Sequence, residues 1–246
     1  MKSERRSMLF AALALATIVI ASTSTPMARS NDPQEKKARD AAAQSAKAAK
    51  AFEAIMQVPD KAIPRDLLAR AKAIAVFPRV IKVALTVGGE GGRGVLSRHV
   101  SAGWGNPVFV RAGGGSVGLQ IGASSTDFFL LLMNDESVDG LMQDKFELGG
   151  EVGIAAGPVG RNAGAATDAL MHAEILSYSR SRGLFAGVNV KGIVLKPEDD
   201  LNVAVYNQTA RELLGDPVSS DPRAATGLQA FPQALGRYTA NPSHDR

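Results

Sequence analysis

The chain has 246 residues, enough for one domain of ordinary or large size with tails. Apolar residues make up 45% and charged residues 21%, so a substantial core can be buried, and the formal net charge is +4. Cysteine is absent, which excludes disulfides, thiolate metal sites, cysteine nucleophiles and an acylated-cysteine lipoprotein anchor.

Lys2, Arg5 and Arg6 form a basic start, followed by the uncharged, mostly apolar run 8–21 and then small and polar residues up to Met27-Ala28. That order predicts a secretory signal over residues 1–28, because the apolar run falls short of the ~20 residues that span a bilayer comfortably. Cleavage after Ala28 puts Pro26 at the third position back; cleavage after Ser24 is the other option, and an uncleaved anchor is the alternative to both. Each delivers the rest of the chain outside the cytoplasm, as a periplasmic or secreted, membrane-associated protein.

A basic helix is expected over 31–56. Asp32 is placed to cap it, Pro33 suits its first position and Glu35 sits three residues after the cap. Lys36, Lys37, Arg39, Lys47 and Lys50 are spread among alanines, and Phe52, Ile55 and Met56 gather on one side. Such a helix either lies on a membrane surface or packs those three residues on the domain. A second helix is expected over 64–73.

From Ile74 the period becomes strand-like. Strands are expected at 73–77, 80–87, 94–100, 108–111, 116–123, 127–133, 146–155, 173–180, 184–190 and 192–196, many separated by glycine or proline. The run FFLLLM at 128–133 reads as a central strand buried on both faces. Short helices are expected at 137–143, within 197–206 and at 209–214. Beyond Gly215 the tail reads as poorly ordered, with Leu228, Phe231 and Tyr238 as anchors. The pattern predicts a mainly β fold with flanking α: a curled or closed, mostly antiparallel sheet preceded by N-terminal helices. The divisions are a signal over 1–28, the basic helix 31–56, a β-rich domain 57–206, and a C-terminal helix with tail over 207–246.

Charge is blocked along the chain. Residues 61–111 carry nine Lys/Arg against Asp66 and Glu90, a net +7, whereas 112–151 carry a net −6. The blocks give either a polarised surface that attracts anions or a mixed surface once folded.

Three motif matches invite an enzyme reading and fail on context. GxGxxG occurs at 89–94 and at 113–118, but a dinucleotide loop must open a helix, and strand-like residues follow both. GxSxG at 114–118 lacks the strand-then-helix frame of a nucleophile elbow. These glycines read as hairpin glycines. A hydrolase built on Ser116 or Thr126, with His172 and Asp168, is the remote alternative. The three histidines and the acidic stretch 135–151 have no metal-ligand spacing, so no metal and no cofactor are expected. Nucleic acid is not expected either, since aromatic interleaving is sparse.

Several segments together resemble the SYLF domain family: AKAIAVFP at 71–78, GGEGGRG at 88–94, WGNP at 104–107, GLQIG at 118–122 with Thr126-Asp127, GPVGR at 157–161, and YSRSRGLFAG at 178–187. They stand in the family's order within about residues 50–206. The resemblance implies binding without catalysis, to an anionic phospholipid or phosphoinositide. Eukaryotic relatives also bind actin, a partner not carried over to an exported protein. Arg65, Arg70, Lys72, Arg79 and Lys82 flank the passage from helix to sheet and are the expected lipid-binding residues. The alternative is a structural or interaction protein with an envelope protein as partner.

Overall fold

The computed structural model describes residues 32–58, 62–84, 87–117, 122–143, 145–150, 152–160, 173–181, 184–188, 190–215 and 227–240. The expected signal, and His172 with Asp168, lie outside them. Helix α1 (Pro33–Met56) starts where its local signals place it: Asp32 Oδ1 accepts the Gln34 N–H at 2.9 Å and Pro33 occupies the first turn. Phe52 and Ile55 are buried and Met56 packs against the same cluster, so this face joins the core. Helix α2 (Arg65–Arg70) buries Leu67 and Leu68.

The strands are β1 (Ala73–Ala84), β2 (Val87–Val100), β3 (Gly103–Trp104), β4 (Val108–Val117), β5 (Gly122–Leu132), β6 (Phe146–Glu147), β7 (Ile154–Ala156), β8 (Ile175–Ser181), β9 (Leu184–Gly187) and β10 (Val194–Pro197). The hydrogen-bonded order is β6-β10-β4-β2-β1-β5-β8-β7, with β3 on β2 and β9 on β8. Every pairing between these strands is antiparallel except β7 with β8. Eight strands laid flat would hold β6 and β7 about 34 Å apart, at about 4.8 Å per gap. Residues 148–153 alone connect them, a stretch that reaches about 25 Å fully extended. The sheet therefore curls, as expected from the sequence. The single strand read over 146–155 is instead these two short strands on opposite edges.

Helices α3 (Asp135–Leu141), α4 (Asp199–Tyr206), α5 (Ala210–Leu214) and α6 (Ala230–Thr239) complete the described fold. Helix α6 lies where the sequence suggested a poorly ordered tail. Its Phe231, Ala234 and Leu235 are fully buried against α1, because four apolar residues at helical spacing outweigh the polar composition around them.

Both faces of the sheet are covered along one half. Ile74, Val76, Val95, Phe109, Phe129, Leu131 and Tyr178 pack under α1 and α6. Ala73, Ala75, Phe77, Leu96, Val110, Leu130 and Leu132 pack on the other face with Val138 and Leu141 of α3 and Leu213 and Leu214 of α5. This double burial is why β5 reads as a continuous apolar run rather than an alternation.

Strand β1 is continuous where two strands were expected at 73–77 and 80–87. A bulge replaces the break: the register shifts between Phe77 and Val80, and Arg79 takes a left-handed φ of 58°. The glycines are a second correction. They lie inside strands, not in hairpin turns: Gly89, Gly91 and Gly92 of β2 pair with Gly115, Gly113 and Ala112 of β4. At Gly92 a Cβ would come within 2.7 Å of the Val80 side chain, and at Gly94 it would collide with the Phe77 ring. These two positions lie in the stretch of β2 opposite the β1 bulge, whose side chains fill the space over them, and hydrogen replaces a side chain there. GxSxG likewise lies along β4 as far as Val117, in extended pairing with β2 rather than at an elbow.

Candidate functional site

Residues Asp40, Ala43, Lys47, Lys50 and Ala54 recur along α1 at three- and four-residue steps and share one face of it. The helix is fixed in roll by its other sides. Gln44 Nε2 donates to the Gly94 carbonyl at 2.8 Å, which ties α1 to β2. Ser45 Oγ donates to the Leu228 carbonyl at 2.6 Å and accepts the Phe231 N–H at 3.1 Å, which ties it to the start of α6. Phe52 meets Phe231 and Tyr238 edge to face.

The Asp40–Ala54 face therefore stands over a cleft of about 690 Å³. Its opposite wall comes from four strands: Pro78 and Arg79 at the β1 bulge, Arg93 of β2, Asp127 of β5 and Arg180 of β8. Five cations and two carboxylates line it, alongside apolar surface from Ala43, Ala51, Ala54 and Pro78.

The strand-borne charges are held in place. Asp127 Oδ1 accepts the backbone N–H of Arg79 at 2.9 Å, and its Oδ2 accepts Arg180 Nε at 3.0 Å and Nη2 at 2.6 Å. Arg93 forks onto Glu198 through Nε at 3.1 Å and Nη2 at 2.7 Å, and Arg111 Nη2 reaches Glu198 Oε1 at 2.8 Å. Burial raises the pKa of the Glu198 carboxyl, but hydrogen bonds and charge from Arg111 and Arg93 outweigh it, and the net position is below the ordinary glutamate value. Glu198 itself is set by the turn into α4. Its N–H donates to the Phe109 carbonyl at 2.9 Å, and the buried Asn202 side chain pairs with Phe109 N at 2.9 Å and O at 3.0 Å. By contrast, the Lys47, Lys50 and Arg79 side chains form no ion pair with any described residue.

Of the residues expected from the sequence, Arg79 lies in this cleft. Arg65 and Arg70 are exposed on α2, and Lys72 follows it, 3.5 Å from Asp135. Lys82 is half-buried on the other face of β1, beside Ser124, Thr126 and Glu90. Lys72 and Lys82 flank most of β1, roughly 30 Å apart at about 3.3 Å per residue, so the five do not form one patch. The charge blocks partly mix on folding: Arg98, at 3.2 Å, joins Lys72 on Asp135.

Lys47, Lys50, Arg93 and Arg180 were outside the expected set. Helical spacing signals the first two. The strand residues carry no local signal, yet each lies in a family-like segment: Pro78 in AKAIAVFP, Arg93 in GGEGGRG, Asp127 in Thr126-Asp127 and Arg180 in YSRSRGLFAG.

A second cleft, of about 710 Å³, is lined by Arg111, Lys145 and Lys196 against Glu198, Asp199 and Asp200, and so carries no excess of either sign. Among the described residues, no group of three or more His, Asp or Glu gathers as metal ligands, and no helix is long and apolar enough to cross a membrane.

Comparison with known proteins gives a consistent family. The family described as "Ysc84: Las17-binding protein actin regulator" matches residues 113–235. Protein YSC84 of Saccharomyces cerevisiae is 31% identical over 223 residues, 87% of this chain and 47% of that protein. LAS seventeen-binding protein 3 of the same yeast is 33% identical over 203 residues, 80% of this chain and 43% of its own length. SH3 domain-containing YSC84-like protein 1 of Homo sapiens is 34% identical over 163 residues, 64% of this chain and 47% of that protein. The chain spans about half the length of the curated relatives it matches. On the matched residues and the shared segments that converge on the cleft, the chain belongs to the Ysc84 family of SYLF domain proteins.

Proposed function

We propose that the chain binds the headgroups of anionic lipids, non-covalently and without catalysis, in the cleft between α1 and the sheet. The observation that carries this reading is the set of three cations, Lys47, Lys50 and Arg79, turned onto one partly apolar cleft with no carboxylate paired to them among the described residues. A phosphate needs such cations, and the alanines and Pro78 suit the adjoining acyl-glycerol part. Each basic residue near an anionic bilayer contributes ~1 kcal/mol, so the three together supply about 3 kcal/mol, on the order of a hundredfold in partitioning. The basic start and apolar run of the first 28 residues add export to this reading, with the cell envelope as the place of action.

Sedimentation with vesicles of phosphatidylcholine, alone or mixed with phosphatidylglycerol, tests the reading. Binding is expected only to the mixed vesicles, weakening steeply with salt. The variant K47Q/K50Q/R79Q is expected to lose about two orders of magnitude in affinity. Equal binding to neutral vesicles, or an unchanged triple variant, rejects the reading.

The family description and the names of the yeast relatives favour a second reading, in which this domain docks a protein of actin assembly. Co-sedimentation with actin filaments, in the absence of lipid, separates it from the first.

A further inference from the structure

Beyond the bulge at Arg79, β1 inverts the usual arrangement of a half-buried strand. Lys82 and the opposite Glu90 are half-buried on the other face, where they line a cleft together with Val188, Val190 and Ile193. Ile81 and Val83 turn outward and are 50% and 52% exposed. Cross-strand partners share a face, and Ile81 stands between Gly91 and Ser125, Val83 between Gly89 and Ala123. All four partners are exposed and uncharged. Alternation along β5 puts Ser125 and Ala123 on the side of Asp127, and alternation along β2 puts Gly91 and Gly89 on the side of Arg93. The apolar pair therefore lies on the same face as the cleft, just past its row of charges.

We propose that this end of the sheet, exposed at Ile81 and Val83, is a membrane-contacting face, with those two side chains entering the bilayer interface while Lys47, Lys50 and Arg79 engage lipid phosphates. The proposal rests on the headgroup reading above and adds the orientation of the domain on the surface. Charge complementarity selects the occupant. Cations ring one side of an apolar, small-residue surface, the order that interfacial binding to an anionic bilayer requires. The surface is open at Gly89, where an added Cβ would meet, beyond its own chain neighbours, only a backbone oxygen at 3.9 Å. A flat, deformable layer of lipid fits such a surface.

The absence of native cysteine allows a direct test. Full-length I81C, V83C and, as a control on exposed Glu136 of α3, E136C are each labelled with nitrobenzoxadiazole. Mixed phosphatidylcholine–phosphatidylglycerol vesicles are expected to blue-shift and brighten the probe at 81 and 83 and to leave it unchanged at 136. I81S/V83S is expected to bind these vesicles on the order of tenfold more weakly, with its salt dependence retained. A probe that stays in water at 81 and 83, while K47Q/K50Q/R79Q still loses vesicle binding, overturns the insertion and leaves the headgroup reading standing. A probe that enters the bilayer while the triple variant binds normally overturns the headgroup reading and the shared orientation with it. Equal shifts at 81, 83 and 136 mean unspecific adsorption, and a shift with actin filaments but not with vesicles means a protein-docking face; either result overturns the proposal.

Discussion

Arg79 and Asp127 meet through the backbone of the first and the side chain of the second, with the Arg79 N–H donating to Asp127 Oδ1 at 2.9 Å. The same carboxylate takes both ends of the Arg180 fork on its other oxygen. One acid thus pins the left-handed bulge of β1 to β5 and β8. The Arg79 guanidinium is left unpaired among the described residues and lines the cleft.

Replacing Asp127 by Ala removes that pin and leaves the partly buried Arg180 without its counter-charge. A loss of about 2 kcal/mol is expected in urea unfolding, with the m-value unchanged. Binding to anionic vesicles should not fall in step with stability, because the cleft gains net positive charge.

Glu198 makes stability depend on acid. Its folded pKa lies below the unfolded value of 4.5, so its contribution is complete above that value and is lost as pH falls through the folded one. In E198Q, unfolding free energy measured against pH should be lower at neutrality and flatter across the range below 4.5. An equally steep curve in the variant would place the acid response elsewhere.

Two glycines of the same sheet should respond differently to alanine. At Gly94 the new methyl meets the Phe77 ring, and G94A is expected to cost about 1–3 kcal/mol by overpacking. At Gly115 a Cβ meets nothing within 4 Å, and G115A should be neutral or slightly stabilising through the unfolded chain. Thermal unfolding of the pair compares them directly.

Ser45 holds α1 to the start of α6 through two buried hydrogen bonds. S45A leaves the Leu228 carbonyl and the Phe231 amide unpaired, for a loss of about 2 kcal/mol. Hydrogen exchange should rise first in α6, since its docking depends on this link.

What is local was legible from the residues alone. Helix α1 was readable to its ends because its cap, first-turn proline and apolar spacing act within a few residues. The burial of β5 was readable because a strand covered on both faces needs no polar alternation. The glycine-rich stretches β2 and β4 were not: read locally, their glycines are turn formers, and only the pairing of β2 with the β1 bulge, which packs Phe77 and Val80 against Gly94 and Gly92, shows why those two glycines stand inside a strand. The cleft belongs wholly to the tertiary structure. It joins Lys47 to Arg180 and Arg79 to Asp127 across a register shift, and no short-range preference encodes contacts between residues so far apart in the chain. Family-like segments marked which strands matter; the packing of α1 over the bulge decided which of their side chains meet, and left Ile81 and Val83 facing outward.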